Sequence, residues 1–281
     1  MRVLITGGKG MLGRTLQRRL AGHELFVADL PEVDMTDPAQ LREAMRTFRP
    51  ETVIHCAAMT KVDDCESKRE LAFLLNETGS RNVAVAAAEA GARVIGISTD
   101  YVFDGHAARP YSETDEPAPA TVYGASKLAG ERAIAEVLPD RHTILRIAWL
   151  YGSGGPSFVH TLMRLGADAA GAPLKVVDDQ IGNPTSTDAV AEVLAWLLDH
   201  PINGVVHGSC EGETTWYGLA RTLFERAGVK RPLQPCTTAE FPRPAPRPAN
   251  SRLEKARLHE AGFRMAEWQD ALARFLQTER F

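Results

Sequence analysis

The stretch RVLITGGKGMLGRTLQRRL, residues 2–20, contains a short apolar run, followed directly by a cluster of glycines and then by a helical pattern. Its glycines fit the spacing G-x-G-x-x-G at Gly8, Gly10 and Gly13. A wider glycine spacing begins at Gly7. Glycine serves there for a tight turn, for close approach of the backbone to a pyrophosphate, and for packing of the helix on the strand. The amides at the helix N-terminus then face the anion with partial positive charge. The stretch predicts the first strand, loop and helix of a dinucleotide site.

The same alternation of apolar runs and helical patterns continues through the first half of the chain. Strand-like runs occur at 24–30, 50–58, 92–99 and 142–152, and helical patterns at 11–22, 38–49, 81–91 and 123–138. Strands that are apolar throughout and alternate with helices indicate a parallel sheet covered on both faces. We expect an α/β fold with a Rossmann-like, doubly wound parallel sheet, in which residues 1–150 form the dinucleotide-binding domain.

The second half of the chain is less regular. Helical patterns occur around 157–168, 187–199 and 214–228, and a proline-rich segment, FPRPAPRPANSRL, covers 241–253. Proline excludes this segment from a central strand or an uninterrupted helix, so we expect an ordered surface loop or a flexible lid. Residues 151–281 are expected to form a smaller, mainly substrate-binding portion, with some segments returning to the sheet. Trp216 and Trp268 lie in helical patterns and are expected to pack in the core.

Composition narrows the classes of function. Hydrophobic residues make up 44% and charged residues 24% of the chain, as in a soluble globular protein. The net charge of −4 and the lack of a long basic run give nucleic-acid binding no electrostatic support. No apolar run is long enough for a membrane span, and the four cysteines have neither metal-ligand spacing nor the density of a disulfide scaffold. We expect a cytoplasmic protein without nucleic-acid or membrane partners.

A phenol and an ammonium share one face of the helical stretch TVYGASKLAGER. Tyr123 and Lys127 are four positions apart and project together, with small residues between them that are expected to leave room for a ligand. The fourth strand ends in Ser98, Thr99 and Asp100, at the edge where such sheets bind ligands. A hydroxyl, a phenol and an ammonium near a nicotinamide form a proton relay for carbonyl reduction. We expect Lys127 to lower the pKa of Tyr123 toward the working pH, so that the phenol protonates the alkoxide.

Several further motifs carry a resemblance to a known family. They are ISTDYVFDG at 97–105, YGASKLAGE at 123–131, RIAWLYG at 146–152, DDQIGNPT at 178–185 and RPANSRL at 247–253. With the glycine loop, they resemble the extended short-chain dehydrogenase/reductase superfamily and, within it, the dTDP-4-dehydrorhamnose reductase family, over nearly the whole chain. The resemblance implies NADPH or NADH as the cofactor and a dTDP-4-keto-6-deoxyhexose as the substrate. The implied reaction reduces the 4-keto group of dTDP-4-dehydro-β-L-rhamnose to give dTDP-L-rhamnose for cell-surface polysaccharide.

The resemblance also implies which residues take part. The catalytic triad would be Thr99, Tyr123 and Lys127. Cofactor contacts are implied for Gly10, Met11, Leu12, Asp29, Asp34, Met35, Ala58, Met59 and Thr60, beside the pattern glycines Gly7 and Gly13 and the triad's Tyr123 and Lys127. Substrate contacts are implied for Thr99, Asp100 and Trp149.

Two substrate-binding candidates have ordinary alternatives. A tryptophan at the end of an apolar strand is usually a core residue, but Trp149 stands at the carboxyl end, where an indole face suits the C–H face of a deoxysugar. Arg247 and Ser251 lie in the proline-rich segment and could hold the diphosphate, since arginine offers a bidentate fork. The alternative for Arg247 is a solvated side chain on a loop.

We expect the protein to accept both NADH and NADPH. Asp29 stands close to where an acid usually binds the ribose 2′-hydroxyl, and it would repel the 2′-phosphate of NADPH. Lys9 and Arg14 are cations that could reach the same phosphate, so we expect both cofactors to be used, with kcat/KM within about tenfold. Some reductases of the resembled family are metal-bridged dimers. Here Arg14 and Thr15 stand where an acid would help, so we expect no metal, in a monomer or a homodimer.

Two alternative functions stay open. The motifs do not separate one nucleotide-linked 4-keto sugar from another, because a few pocket side chains distinguish the sugars. A non-catalytic NADP-binding subunit that regulates a partner enzyme could also have this fold. Thr99, Tyr123 and Lys127 favour catalysis, because a binding module has no need of a proton relay.

Overall fold

Strands and helices alternate in the N-terminal half as the sequence predicts. The computed structural model describes residues 1–168 and 171–281. The strands are β1 (Arg2–Thr6), β2 (Glu24–Ala28), β3 (Thr52–His55), β4 (Arg93–Thr99) and β5 (His142–Ile147). The helices are α1 (Met11–Arg19), α2 (Pro38–Phe48), α3 (Val62–Ser67), α4 (Arg69–Phe73), α5 (Gly79–Glu89) and α6 (Val122–Val137), with a π-helical turn at Leu74–Thr78 and a 3-10 turn at Asp100–Val102. Helices α3 and α4 are absent from the sequence prediction, because each is too short to show a helical period.

The second half contributes short strands and longer helices. Its strands are β6 (Leu150–Tyr151), β7 (Leu174–Val177), β8 (Ile181–Gly182), β9 (Thr185–Ser186), β10 (Gly204–His207), β11 (Thr214–Thr215), β12 (Leu233–Cys236) and β13 (Asn250–Ser251). Its helices are α7 (Phe158–Gly166), α8 (Thr187–Asp199), α9 (Trp216–Ala227), α10 (Ala256–Glu260) and α11 (Trp268–Thr278), with a 3-10 turn at Thr238–Glu240. Trp268 is 3% exposed and packs in the core, as expected. Within the described residues, no helix has the length and apolar character to cross a membrane.

Six parallel strands form the central sheet, in the order β10-β5-β4-β3-β1-β2. The chain builds outward from β1 to β2 in one direction and from β3 onward in the other, which confirms the doubly wound arrangement. The register aligns Thr6 with Ala28 and His55, and Thr99 with Ile147, so the carboxyl ends of the strands share one edge. Strand β10 comes from the second half of the chain and pairs with β5.

Strand β1 shows why the apolar runs of the sheet are unbroken. Val3 and Ile5 belong to a core cluster with residues of α1, α8 and α11, whereas Leu4 belongs to a second cluster with residues of α2, α5 and α6. Successive side chains of a strand point to opposite faces, so a strand that is buried on both faces must be apolar at each position. Each such side chain contributes about 1.5–3 kcal/mol by leaving water.

The proline-rich segment crosses the surface without forming a helix. Residues 241–244 are exposed, and Ala245 is fully buried. The segment ends in β13, which pairs with β8 at one edge of the three-stranded sheet β11-β8-β13. Proline thus keeps this part of the chain out of the central strands, as its sequence predicts.

Candidate active site

A cleft of about 700 Å³ runs along the carboxyl ends of the central strands. It spans the switch point between β1 and β3, where doubly wound sheets bind their ligands. Most of the expected site residues line it: Gly7, Gly10, Met11, Leu12, Gly13, Asp29, Asp34, Met35, Ala58, Thr60, Thr99, Asp100, Tyr123, Lys127 and Trp149. Met59 and Arg247 lie outside its wall.

The glycine loop fits a pyrophosphate. Gly7 adopts φ 67°, a left-handed conformation that favours glycine, and a Cβ there would lie 2.6 Å from the amide nitrogen of Ala57. A Cβ on Gly13 would lie 2.4 Å from the Gly7 carbonyl oxygen, so glycine is what allows α1 to approach the loop. The N-cap of α1 is Gly10, which has no side chain to accept the amides of the first turn. Those amides and the positive end of the helix dipole are available to an anion.

Asp29 follows β2 and is held by two backbone amides. Its carboxylate accepts hydrogen bonds from the Lys9 amide at 2.7 Å and from the Leu30 amide at 2.8 Å. The Lys9 ammonium donates to the Leu30 carbonyl and pairs with Glu32 at 2.8 Å. The Arg14 guanidinium donates to the Lys9 carbonyl at 2.8 Å. Both cations that were expected to offset Asp29 therefore already bond to the protein.

The backbone of Met59 is tied to a buried asparagine beside the cleft. Both polar groups of its backbone bond to the side chain of Asn76: the amide donates to Oδ1 at 2.8 Å, and the carbonyl accepts from Nδ2 at 3.1 Å. The Met59 side chain packs with Cys65 and Tyr123. Met59 is not among the residues that line the cleft, and its expected contact with the cofactor stays a prediction.

Asn76 is a site residue that sequence reasoning misses. It is fully buried in the π-helical turn, a conformation that is frequent at functional sites. Its Nδ2 also donates to the Ser126 hydroxyl at 2.9 Å, and that hydroxyl donates to the Tyr123 carbonyl at 2.8 Å. Asn76 thus joins the chain after β3 to the catalytic helix. The available sequence signal is a lone asparagine in the apolar run LAFLLNET, which has no periodicity of its own.

Thr99, Tyr123 and Lys127 meet at one end of the cleft. Thr99 ends β4, and its hydroxyl donates to Asp100 Oδ1 at 3.0 Å. Tyr123 stands in the first turn of α6. One turn further on, the Lys127 ammonium donates to the Ile97 carbonyl of β4 at 2.7 Å. The strand end and the helix therefore place a hydroxyl, a phenol and an ammonium together, as the sequence predicts.

Two glycines of α6 allow close contact with the protein backbone. A Cβ on Gly124 would lie 2.0 Å from the Tyr101 carbonyl oxygen, and a Cβ on Gly130 would lie 2.2 Å from the Asn76 carbonyl oxygen. These glycines let α6 approach the chain after β4 and the π-helical turn. At these two positions glycine makes room for the protein backbone.

Burial controls the protonation of the catalytic pair. It raises the pKa of Tyr123, and the Thr99 hydroxyl opposes that rise. Burial also lowers the pKa of Lys127 to about 8, against the opposing Glu131 carboxylate. The expectation that Lys127 lowers the pKa of Tyr123 is therefore wrong: the ammonium bonds to the Ile97 carbonyl, and desolvation dominates at the phenol. Tyr123 is protonated at neutral pH, which is the state of a proton donor.

Asp100 is a buried carboxyl beside the triad, 5% exposed. Burial raises its pKa to about 6, and the hydrogen bond from the Thr99 hydroxyl opposes the rise. Asp100 Oδ2 has no partner in the part of the chain that the structure describes. Ser251, which could hold the diphosphate, is 1% exposed, and its hydroxyl has no hydrogen-bond partner among the described residues. One carboxyl oxygen at the cleft is therefore left for a polar group of a ligand.

Trp149 and Trp216 form a stacked pair in the wall of the cleft, with ring centroids 3.5 Å apart and planes within 9°. Trp149 adopts φ 48°, which is rare for a bulky residue, and its carbonyl accepts the Thr185 amide at 3.1 Å. The Trp216 indole N–H donates to Gln180 at 2.9 Å, and its ring also packs against Phe158. The expectation that Trp216 only packs in the core is incomplete, because it also lines the cleft behind Trp149.

Arg247 forms an ion pair just outside the cleft wall. Its Nη2 donates to Asp63 Oδ2 at 2.8 Å, and its Nη1 donates to the Ala245 carbonyl at 2.9 Å. The side chains of the pair are 22% and 31% exposed, so Arg247 is not the freely solvated residue of the alternative interpretation. Its guanidinium charge acts on Tyr101, which lines the cleft. Arg247 lowers the pKa of Tyr101, whereas burial raises that pKa by more.

Thr15 stands where an acid would help to bind a metal ion. Its hydroxyl donates to the Thr187 hydroxyl at 3.0 Å, so this position carries a contact between α1 and α8. Across residues 1–168 and 171–281, no three side chains of His, Cys, Asp or Glu come together in a way that could hold a metal ion.

Comparisons with known proteins bear on this geometry. The family model described as RmlD substrate binding domain matches residues 1–281. The dTDP-4-dehydrorhamnose reductase of Streptomyces griseus is 43% identical over 280 residues, which cover 96% of this chain and 91% of that protein. The dTDP-4-keto-6-deoxy-D-glucose reductase of Streptomyces niveus is 41% identical, covering 81% of this chain and 79% of its own. The crystal structure of dTDP-4-dehydrorhamnose reductase from Bacillus anthracis str. Ames in complex with NADP is 38% identical, with a TM-score of 0.95 and 99% of each chain covered.

Proposed function

The chain belongs to the RmlD substrate binding domain family, and on this premise we propose that it reduces the 4-keto group of dTDP-4-dehydro-β-L-rhamnose to give dTDP-L-rhamnose. NADPH or NADH is the reductant, and the NADP complex of the 38% identical relative supports this choice. The observation that carries the proposal is that Thr99, Tyr123 and Lys127 share one cleft with the glycine loop. The product serves the synthesis of cell-surface polysaccharide.

The first half of the chain holds the dinucleotide. The first-turn amides of α1 bind the pyrophosphate, and Asp29 accepts hydrogen bonds from the adenosine ribose. The Lys127 ammonium holds the nicotinamide ribose. When bound, the nicotinamide supplies the hydride for the carbonyl carbon. We assign cofactor binding to residues 1–150 and substrate binding mainly to residues 151–281.

Tyr123 donates the proton. Because burial raises its pKa, the phenol keeps its proton until the 4-keto oxygen gains negative charge and accepts it. The Thr99 hydroxyl lies near the phenol and lowers its pKa against the larger effect of burial. Lys127, with a pKa of about 8, is mostly protonated at neutral pH, and as an ammonium it can donate hydrogen bonds to the nicotinamide ribose.

The sugar and the diphosphate are held at the opposite end from the adenosine. Trp149, supported by Trp216, offers an indole face to the C–H face of the deoxysugar. Asp100 Oδ2, which lacks a partner among the described residues, accepts a hydrogen bond from a sugar hydroxyl. Arg247 binds the diphosphate through its planar fork.

One observation keeps a second substrate in consideration. The relative from Streptomyces niveus is 41% identical and is named for a different 4-keto sugar. Overall identity therefore does not choose between the sugars, which a few pocket side chains distinguish. A non-catalytic regulatory role has less support, because the buried phenol, hydroxyl and ammonium have no evident use in cofactor binding alone.

The test is to add each dTDP-4-keto sugar to the protein with NADPH and to follow the loss of NADPH absorbance. We expect kcat/KM for dTDP-4-dehydro-β-L-rhamnose to exceed that for the other sugar by about tenfold or more. The reverse order would assign the second substrate. Binding of NADPH without turnover of either sugar would favour the regulatory role.

We also propose a cytoplasmic location, because both dTDP-sugars and reduced nicotinamide cofactors are made and used in the cytoplasm. The proposed assembly is a monomer or a homodimer, and the reaction as derived uses no metal.

A further inference from the structure

One carboxylate ties the proline-rich segment to helix α3. Asp63 Oδ2 accepts a hydrogen bond from Arg247 Nη2 at 2.8 Å, and Asp63 Oδ1 accepts the Ala245 amide at 3.2 Å. Arg247 Nη1 donates back to the Ala245 carbonyl at 2.9 Å, which closes a ring of hydrogen bonds. Ala245 is fully buried, although both of its neighbours are exposed. The segment is therefore fixed to α3 at Asp63.

This contact adjoins the catalytic end of the cleft. Val62, the residue before Asp63, lines the cleft, and so does Tyr101. The Tyr101 ring packs edge-on against Tyr123, with centroids 5.6 Å apart. The Arg247 guanidinium lowers the pKa of Tyr101 and the Asp63 carboxylate raises it, so both charges lie close to that phenol. The ion pair is therefore close to the substrate end of the cleft.

Arg247 keeps hydrogen-bond donors for a ligand. A guanidinium has five N–H donors in a rigid plane. Nη2 donates one N–H to Asp63, and Nη1 donates one to the Ala245 carbonyl. Nε has no acceptor within residues 1–168 and 171–281. A fork that a carboxylate already orients loses less rotamer freedom when it binds a phosphate than a free arginine side chain does.

The local charge suits an anion in spite of Asp63. Arg243 lies near enough to lower the pKa of Asp63, as Arg247 does. The charge of Asp63 is therefore opposed by two guanidinium groups. Asp63 can orient Arg247 without cancelling its attraction for a diphosphate.

We propose that Asp63 is a positioning residue that orients Arg247 and residues 241–249 for the diphosphate of the nucleotide-sugar substrate. The inference rests on the proposed function, which supplies a nucleoside diphosphate as the ligand. Asp63 acts through Arg247 and does not itself touch the reacting atoms. It therefore governs affinity for the substrate and not the rate of the chemical step.

Calorimetric titration of dTDP into the full chain tests the inference, with steady-state kinetics beside it. Asp63→Asn keeps the shape of the side chain and removes its charge. We expect it to raise the Kd for dTDP and the KM for the dTDP-4-keto sugar about tenfold, with kcat within about twofold. Asp63→Glu restores the carboxylate and should recover most of the affinity. Asp64→Asn is the matched control, because it makes the same change one residue away and should leave the Kd as it is.

A double-mutant cycle separates positioning from direct contact. Arg247→Gln should raise the Kd for dTDP at least as much as Asp63→Asn, and the double variant should be no weaker than Arg247→Gln alone. Additive effects, or a Kd for Asp63→Asn within about twofold of the parent, overturn the proposal. If Asp63→Asn does not fold, Arg247→Lys takes its place, because lysine keeps the charge but lacks the planar fork. Parental affinity in Arg247→Lys would also overturn it.

Failure of the proposed function gives a different result. If the parent protein binds dTDP but reduces no 4-keto sugar, the proposed function is wrong, and the titrations alone judge Asp63. If the parent protein binds no dTDP, both proposals are overturned.

Discussion

The two ends of the cleft are constructed in different ways. At the cofactor end, backbone geometry forms the site: Gly7 is left-handed, Gly13 touches the loop, and Gly10 leaves the first turn of α1 uncapped. At the substrate end, side chains from distant parts of the chain meet: Trp149 stacks on Trp216, and Arg247 pairs with Asp63. The glycine loop is contained in a single short stretch of sequence, whereas the substrate end exists only after folding. A single methyl group added to the glycine loop should therefore weaken cofactor binding strongly. At the substrate end, each side chain that is removed should lower the affinity for the substrate by a smaller amount.

The largest effect is expected at Tyr123, where the two ends meet. Tyr123→Phe removes the proton donor, so kcat should fall at least ~100-fold, while the Kd for NADPH stays within about twofold. Lys127→Met should lower kcat and also weaken cofactor binding, because the ammonium serves both ends. Steady-state kinetics and a fluorescence titration with NADPH measure the two quantities. A Tyr123→Phe variant within about tenfold of the parent activity would place the proton donor elsewhere.

At the cofactor end, one added methyl group should be enough to weaken the binding of NADPH. In Gly13→Ala the new Cβ would lie 2.4 Å from the Gly7 carbonyl oxygen, so α1 must move away from the loop. We expect the Kd for NADPH to rise about 30-fold, or ~2 kcal/mol, with the Kd for dTDP unchanged. Gly22→Ala is the control, because a Cβ there meets nothing within 4 Å. Equal NADPH affinity in the two variants would contradict the view that backbone geometry forms the cofactor end.

At the substrate end, Trp149→Ala should raise the KM for the dTDP-sugar about tenfold and leave the Kd for NADPH unchanged. The indole is expected to face the sugar, and Trp216 behind it keeps part of the wall in place. If Trp149 is instead mainly a core residue, stability should fall by about 3–5 kcal/mol. Thermal melting beside the kinetics distinguishes the two results.

The smallest effect concerns the choice of dinucleotide. Asp29→Ala should shift the ratio of kcat/KM values toward NADPH, and Lys9→Ala should shift it toward NADH, each by less than about tenfold. The effect of Lys9→Ala should be the smaller of the two, because that ammonium is already paired with Glu32. If Asp29→Ala leaves the ratio unmoved, the carboxylate does not lie at the ribose.

Features that depend on near neighbours in sequence could be predicted. The doubly wound sheet follows from the alternation of apolar strands and helices, and the glycine loop from its spacing. The family resemblance rests on contiguous motifs, and the family model confirms it.

Features that depend on tertiary contacts could not be predicted. The side-chain amide of Asn76 bonds to the backbone of Met59, and Trp216 reaches the cleft from a helix far along the chain. The pKa of Tyr123 depends on how deeply the phenol is buried, a quantity that the spacing to Lys127 does not contain.

Strand β10 has a consequence for how the protein is made. The outer edge of β5 has no partner strand until residues 204–207 have left the ribosome, because β10 is the strand that pairs with it. An open strand edge can pair with another chain, so the nascent sheet is exposed to misassembly for much of its synthesis. A fragment that ends near residue 150 would keep that edge permanently and should aggregate. The cofactor-binding and substrate-binding portions are therefore expected to fold and melt as one cooperative unit, and not to be exchangeable modules.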